Sequence, residues 1–531
     1  MIVPLTPLRF LERANSLYGN KQGIVCGAQR FTYGQFFERC LRVAGALREL
    51  GLQPGDRVAF LSYNCHRLLE AYYAVPLARG ILLPLNIRLA AAETAWILRD
   101  SGARLLFLDA DFLPLAETFR NETPQLERCF LLEPHAVAPA WADARSYDQL
   151  LGTATPMPFD LMTVDENTIA ELFYTSGTSG DPKGVMLSHR TLYLHALNVM
   201  IAQRYDDTSV QLHAIPLFHA NGWGAAHSVT GGGGTHVMLR RFDPERVCQL
   251  IEQEKVTCFC LVPTLTNALL HYAGLKRHNL SSLEWMHIGG AAATEELIGA
   301  VEERLHCDCY GGYGLTETSP VLTIAHLKDS LRNASCAEQL RRKAMTGMPI
   351  LGVELRVVDE QGNDVPRDGA TMGEIIVRGD GVMEGYWGQP EETRASFSDG
   401  WFRTGDMAVW DDEGYVLIVD RRKEIIVRAG ENISSLEIEK ALSAHPAVYE
   451  CAVIPVPDQK WGEVPKAFVV RKDGAAATER ELIHFLRHRI AKFKVPRSVE
   501  FVDSLPKGGT GKILKKLLRE KYWAGYAKRV H

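Results

Sequence analysis

An α/β fold in two domains is what the sequence predicts, and three observations carry the prediction. At 531 residues the chain exceeds what one hydrophobic core usually organises. Between roughly residues 20 and 330, short apolar runs alternate with helical patterns, and strand then helix, repeated, builds layered parallel sheets. From about 346 to 420 the texture turns to short strands punctuated by Gly, Pro and Asp, a β-rich subdomain, before a smaller α/β pattern resumes. A boundary near Asp420 follows, with residues 1–420 as a large N-terminal domain and 421–531 as a small α+β C-terminal one.

In chain order the strand candidates are RVAFLS (57–62), RLLFLDA (104–110), THVMLRRF (235–242) and CFCLVPT (258–264). The glycine run 231–234, ahead of the third of these, reads as a loose turn. One connecting helix is well signed: Asp243 caps it, Pro244 fits its first position, and Val247, Leu250, Ile251 and Glu254 recur at helical spacing. The β-rich stretch holds VELRVVDEQGNDVPRDG, GEIIVRGDGVMEGYW and GYVLIVD. Beyond it, Thr478 and Glu481 form a capping box that opens a helix with Leu482, Phe485, Leu486 and Ile490 on one face.

A hydrophobic share of 46%, a charged share of 23% and a formal net charge of -5 describe an ordinary soluble globular protein, with no basic excess for nucleic acid. Pro4, Pro7, Arg9 and Glu12 interrupt the N-terminus before a signal-peptide core could form, and no stretch approaches a membrane span. Eleven cysteines are scattered; Cys258 with Cys260 and Cys307 with Cys309 have C-x-C spacing in strand-like runs. Buried free thiols in a reducing cytoplasm are therefore expected rather than a zinc site. The basic, aromatic C-terminus KILKKLLREKYWAGYAKRVH suits either a membrane surface or a helix docked on its own domain. A cytoplasmic protein, peripheral to a membrane at most, is expected, and a homodimer is compatible with it.

The stretch YTSGTSGDPKG (174–184) follows an apolar run. Gly177, Gly180 and Gly184 let backbone approach a ligand, Thr175, Ser176, Thr178 and Ser179 add hydroxyl donors, and Lys183 adds a cation. Such a loop wraps a polyphosphate or is a flexible polar surface loop, and the Walker order G-x-x-x-x-G-K-[ST] is absent. Its residue order resembles the ATP-grasping loop of the adenylate-forming superfamily of acyl- and aryl-CoA synthetases, luciferases and peptide-synthetase adenylation domains. GGYGLTETSP (311–320) resembles that superfamily's adenine-and-metal motif, and GWFRTGD (400–406) its ribose motif. DRRKEIIVRAGENISSLEIE (420–439) resembles its hinge segment, and PKGGTGKILKK (506–516) its catalytic-lysine loop. Five motifs in register extend the resemblance over nearly the whole chain, with fatty acyl-CoA synthetases the most similar members.

The resemblance implies that a carboxylate attacks the α-phosphate of ATP, giving an acyl-adenylate and pyrophosphate. Two anions must meet, so charge neutralisation and positioning do most of the catalysis. Lys512 is similar to the lysine that bridges the carboxylate and α-phosphate, and Thr175 and Glu317 match the ligands of Mg²⁺, a hard cation that takes oxygen donors. Ser176, Gly177, Thr178, Ser179, Gly180 and Lys183 would hold phosphates, and Gly290, Ala291, Gly311, Gly312, Tyr313 and Thr316 the nucleotide, with Tyr313 stacked on adenine. Asp406 and Arg421 would reach the ribose, with Lys423 close by. In HAIPLFHANGWG (213–224), His219 matches the histidine beside the substrate carboxylate and Trp223 the aromatic that gates the acyl tunnel; Ala292 of IGGAAA (288–293) would line the same pocket. Taken singly these residues have plainer structural uses: a core histidine, a core aromatic, a helix glutamate, a turn aspartate.

The family likeness further implies a mobile C-terminal domain that turns about a hinge at Asp420 and Lys423, after which the coenzyme A thiol attacks the adenylate. One position departs from many relatives: a lysine usually stands four places after the hinge lysine, where this chain has Val427, with Arg428 beside it. Either Arg428 substitutes or the contact is absent. The expected protein is an ATP-dependent acid:CoA ligase acting on a fatty or medium-chain carboxylate, with Mg²⁺ as cofactor and ATP and coenzyme A as co-substrates. The alternatives are an aryl- or short-chain (branched or thioether) acid:CoA ligase, or an enzyme that hands its adenylate to a carrier protein.

Overall fold

The computed structural model describes residues 3–133, 139–143, 145–175, 182–422, 424–428, 431–458, 460–507 and 513–523, with 431 and 432 described by their backbone alone. The chain is α/β, as expected, and divides into two units interleaved along the sequence. The first comprises Met1–Lys343, Met348–Glu354 and Arg378–Phe402; the second comprises Ala344–Gly347, Leu355–Val377 and Arg403–His531. The β-rich stretch is therefore shared between units, and the cut expected at 420/421 falls inside the second. Strand pairing is the reason: Val416–Arg421 runs antiparallel to Trp401–Trp410, with Trp410 opposite Val416 and Asp406 opposite Arg421.

Among the described residues the first unit holds two sheets. The larger has the order Met348–Pro349, Val321–Ile324, Asp308–Gly314, Trp285–Ile288, Cys258–Leu261, Val210–His213, Thr235–Met238, Gln22–Cys26, Gln29–Thr32. The smaller has the order Gly385–Tyr386, Lys183–Ser188, Ile169–Thr175, Ile81–Pro84, Arg57–Leu61, Leu105–Leu108, Arg128–Leu131. Central strands such as Thr235–Met238 and Cys258–Leu261 are buried throughout, as parallel strands covered on both faces must be. The helix Pro244–Glu254 starts as its sequence predicts, with the Asp243 carboxylate accepting from Arg246 N at 2.8 Å.

The glycine run 231–234 is not a loose turn. Gly231 and Gly232 finish the helix Ala225–Gly232, and all four glycines are buried. A Cβ would lie 2.7 Å from Met200 Sδ at Gly231 and 2.9 Å from the Ser209 carbonyl oxygen at Gly234. Close packing selects glycine at 231 and 234, and a left-handed φ of +81° selects it at Gly233, which caps the helix.

In the second unit, Glu431–Ile433, Ile426–Arg428, Gly462–Arg471 and Val448–Asp458 form a sheet in that order, and Ser498–Phe501 joins Gly462–Arg471 in parallel. The capping box opens the helix Glu479–Arg487, with Thr478 N donating to Glu481 Oε2 at 2.7 Å. Leu482 and Leu486 are buried and Phe485 is half-buried; Ile490 lies beyond the helix end. The C-terminal helix Lys515–Trp523 docks on its own unit: Trp523 Nε1 donates to the Pro455 carbonyl at 3.0 Å and the Tyr522 hydroxyl to Glu500 Oε2 at 2.7 Å. No helix of the described residues is long and apolar enough to cross a membrane. Cys258, Cys260, Cys307 and Cys309 are buried and free, and burial pushes the Cys260 thiol up to about 12.

Candidate active site

Two adjacent strands deliver the ends of the expected phosphate loop. Ile169–Thr175 runs antiparallel to Lys183–Ser188 with Thr175 opposite Lys183, so these two residues stand at the mouth of the loop that joins them. Ser176, Gly177, Thr178, Ser179 and Gly180 of that loop lie outside the described residues. Gly385–Tyr386 pairs with the Lys183 strand, Tyr386 opposite Val185. That pairing puts the Tyr386 ring centroid 5.0 Å from Lys183 Nζ and lets the phenol donate to Glu317 Oε1 at 3.1 Å. Lys183 also pairs with the Glu392 carboxylate. Burial, and then the Glu317 charge, push the Tyr386 phenol up, so it stays a donor. Tyr386 thus joins Lys183 to Glu317, and nothing local in the sequence marks it for that task.

The carboxylate of Glu317 and the hydroxyl of Thr175 are hard oxygen donors. Among the described residues no group of three His, Cys, Asp or Glu side chains could hold a metal alone. A Mg²⁺ that keeps waters and phosphate oxygens needs only one or two protein ligands, so this donor set fits it.

The expected nucleotide residues lie on neighbouring strand ends of the larger sheet. Gly311, Gly312 and Tyr313 belong to Asp308–Gly314, whose Gly311 is opposite Ile288. A Cβ on Gly312 would fall 2.0 Å from His287 Nε2, so that backbone can lie against the imidazole only as glycine. Tyr313 is half-buried and Thr316 buried. Gly290 has φ +75°, a left-handed turn at the end of Trp285–Ile288, and Ala291 and Ala292 after it are exposed.

The segment 213–224 leaves the strand Val210–His213 and is pinned by buried side chains. Asn64 Nδ2 donates to the carbonyls of His213 and Ile215 at 2.8 and 2.9 Å, and Asn64 Oδ1 accepts from Leu217 N at 2.7 Å. The Tyr72 hydroxyl donates to the Leu217 carbonyl at 2.6 Å. His219 is half-buried. Five consecutive residues then turn left-handed: Ala220, Asn221, Gly222, Trp223 and Gly224, with φ of +44, +45, +67, +60 and +82°. Each non-glycine there costs roughly 1–2 kcal/mol in an isolated chain, and such backbone persists only where its surroundings over-determine it. The reward is the placement of Trp223, buried against Ile215, Cys260 and Val262, its ring where a Cβ on Gly289 would come within 3.0 Å. Sequence reading found His219 and Trp223 but not Asn64 or Tyr72.

In the second unit, the expected ribose pair are cross-strand partners, with Arg421 Nε 3.3 Å from Asp406 Oδ1. Asp420, expected at the hinge, is fully buried; it accepts from Arg421 N at 2.8 Å and from Ser435 N at 2.6 Å, and burial pushes its carboxyl up. Lys423 and Lys512 lie outside the described residues. The ends of the Lys512 loop are paired, Lys507 opposite Ile513. Just past that loop Lys515 is buried, 2.7 Å from Ser435 Oγ, 2.8 Å from Glu439 and 3.6 Å from Glu424. Burial opposes its ammonium, but Glu439, Glu424 and Asp420 together hold the group up. Glu439 is half-buried, and that burial pushes its carboxyl up to about 7 in spite of Lys515. As for the departure at the hinge, Val427 N donates to Glu463 Oε2 at 3.0 Å, while Arg428 donates to the Phe493 carbonyl and lies 5.1 Å from the Trp461 ring centroid.

Two family models match this chain: AMP-binding enzyme over residues 11–387, and AMP-binding enzyme C-terminal domain over residues 437–512. The chain is 40% identical to a long-chain-fatty-acid–CoA ligase of Thermus thermophilus, over 97% of this chain and 95% of that protein. It is 37% identical to 4-hydroxybutyrate–CoA ligase 2 of Metallosphaera sedula, over 97% and 94% of the two chains. Among solved structures, the anthranilate CoA ligase AuaEII in complex with anthranoyl-AMP superposes with a TM-score of 0.88 at 27% identity, covering 98% of each chain.

Proposed function

The chain belongs to the AMP-binding enzyme family and is an AMP-forming, ATP-dependent acid:CoA ligase, and on that premise we propose that its acid is an apolar fatty or medium-chain carboxylic acid lying against Trp223. The observation that carries this is the buried apolar cluster of Ile215, Trp223, Cys260 and Val262, with Leu265 and Trp285 packed against it, whose Ile215 and Trp223 flank His219 in the chain. An aliphatic tail entering there exchanges water for apolar contact. The rings that follow Trp223, those of His287 and Tyr310, favour a second reading, an aryl or short-chain acid.

In the first half-reaction a carboxylate oxygen of the acid bonds to the α-phosphorus of ATP as the bond to the bridging oxygen breaks, and pyrophosphate leaves. The thiol of coenzyme A then gives up its proton and attacks the acyl carbon, and AMP departs. In our reading Lys512 supplies the positive charge between carboxylate and α-phosphate, and His219 stands beside the carboxylate. Residues 175–183 hold the departing pyrophosphate, Tyr313 stacks on adenine, and Asp406 with Arg421 takes the ribose hydroxyls. Glu317 and Thr175 would hold Mg²⁺, which supplies charge neutralisation at the phosphates. Between half-reactions, residues beyond 420 turn about Asp420 and Lys423 and carry Lys512 away. The enzyme works in the cytoplasm on this reading.

Turnover with ATP, coenzyme A and acids of graded chain length, aryl acids included, tests the substrate. A maximum among medium-chain acids supports the reading, and a maximum on an aryl acid replaces it with the second. Lys512→Ala should cost adenylation about 3–4 kcal/mol, a few hundredfold or more in rate. The thiol step, started from supplied acyl-adenylate, should suffer far less; equal loss in both would remove the turning-domain assignment.

A further inference from the structure

A buried carboxylate that the reaction itself does not use grips the acid loop. Glu171 lies in the strand Ile169–Thr175, flanked by Leu82 on one neighbouring strand and Leu187 on the other, and is 0% exposed. Both of its oxygens reach one segment. Oε2 accepts from Asn221 Nδ2 at 3.0 Å, and Oε1 lies 2.6 Å from His227 Nε2. Asn221, buried as well, closes on the loop's own backbone, its Oδ1 accepting from Gly224 N at 2.8 Å. His227 stands edge-on to the rings of Tyr72 and Tyr73, with centroids 5.7 and 5.4 Å away. A carboxylate is costly to bury unless its oxygens are satisfied, and here the acid loop and the helix that follows it satisfy both.

We propose that Glu171 is a positioning residue that sets the acid loop in register with the phosphate-binding strand. Thr175, at the mouth of the phosphate loop, ends the very strand whose Glu171 clamps Asn221. Asn221 is the second residue of the left-handed run that carries Trp223 and follows His219. A side chain there that bonds both to a rigid strand and to Gly224 N selects one conformation of a backbone that otherwise has cheaper alternatives. The clamp therefore fixes where His219 and Trp223 meet the acid, and through Trp223 it fixes which chain lengths fit; this consequence rests on the reading of 219–224 as the acid loop. ATP, bound by other residues, is left untouched.

Three variants of the whole enzyme test this, read by steady-state KM for the acid and for ATP and by the chain-length profile. Glu171→Leu removes both contacts, and Asn221→Gly removes the clamp from the loop side while permitting positive φ, which keeps the test alive if the buried leucine fails to fold. Each should raise the acid KM roughly tenfold and flatten the chain-length profile, with the ATP KM within about twofold of the parent, the loss expected for hydrogen bonds to a buried charge. Glu171→Gln offers an oxygen to Asn221 and an amide to His227, whose tautomer can adjust, and should restore the profile. Folded Leu and Gly variants with the parent's acid KM and profile overturn the proposal, as does an equal rise in both KM values. Trp223→Ala separates the two layers: if it changes the profile while the Glu171 variants do not, the clamp alone falls, and if it leaves the profile unchanged, the acid-loop reading falls and takes the clamp with it.

Discussion

Glu171 in the first unit and Lys515 in the second are both buried ionisable side chains, yet the two units satisfy them in opposite ways. Glu171 takes hydrogen bonds from an amide and an imidazole of one segment. Lys515 faces Asp420, Glu424 and Glu439 together, one ammonium among three carboxylates. An amide in place of Glu171 keeps both contacts, whereas a neutral side chain in place of Lys515 strands buried carboxylates. The difference teaches what each region is for. A clamp made of hydrogen bonds suits a wall that holds still, while a knot of unbalanced charge ties Asp420 of the expected hinge, and Glu424 close by, to the root of the lysine loop.

The largest effect expected from this contrast is at Lys515. Lys515→Met keeps the stem and removes the charge, leaving the buried Asp420 and the half-buried Glu439 without their cation, and should cost the second unit about 3–5 kcal/mol. Urea unfolding, with limited proteolysis to assign the loss to the second unit, measures it. A loss no larger than that of Glu171→Gln would dissolve the comparison.

Next in size is a pH effect of the second unit, opposite in sign to the one that burial gives the histidines of the first unit, such as His195 and His213, whose imidazoles it pushes down to about 3. Burial raises Glu439 from 4.5 to about 7, so the folded chain holds that proton more tightly than the unfolded chain does. Stability from this group is therefore greatest at the acid end and falls as pH rises from 4.5 to about 7, then levels off, with a slope of at most about 1.4 kcal/mol per pH unit. Lys515, held up by its carboxylates, loses its own contribution only in the alkaline range. Glu439→Gln should remove this falling contribution and so shift the slope of stability with pH between 5 and about 7 in the positive direction, measured by unfolding at a series of pH values. An unchanged slope would assign the titration elsewhere.

What the sequence made legible were features whose cause is local. The Asp243 cap and the Thr478 box need only three residues of context, and the residue order of the motifs pointed to Asp406 and Arg421, which strand pairing sets opposite one another. Illegible were residues whose use depends on a distant partner: Glu171 and Asn221 are 50 residues apart, Tyr386 and Glu317 are 69, and Lys515 and Ser435 are 80. Lys515 read as one more charge in a basic tail, because nothing in KILKKLL says which lysine turns inward. The glycine run 231–234 failed differently: composition suggests freedom, but the neighbours of Gly231 and Gly234 make each a contact without room for a Cβ. The domain cut near Asp420 was placed by texture, whereas antiparallel pairing decides which unit a strand joins.

The smallest effect returns to the first unit and asks whether its expected phosphate end is also held by neutral bonds. Tyr386 gives its ring to Lys183 and its hydroxyl to Glu317. Tyr386→Phe keeps the ring and the packing and removes one hydrogen bond to a carboxylate, worth about 1 kcal/mol in stability. If Glu317 holds Mg²⁺, losing the bond that orients it should also raise the Mg²⁺ needed for half-maximal pyrophosphate release, roughly fivefold. Tyr386→Leu removes the ring as well and should add a loss in ATP binding through Lys183, because the ammonium then loses the ring that, with Glu392, places it. Titrating Mg²⁺ at saturating ATP, then ATP at saturating Mg²⁺, separates the two contributions. Should Phe and Leu behave alike in both titrations, Tyr386 packs between Lys183 and Glu317 without orienting either, and the resemblance between the phosphate end and the Glu171 clamp is lost.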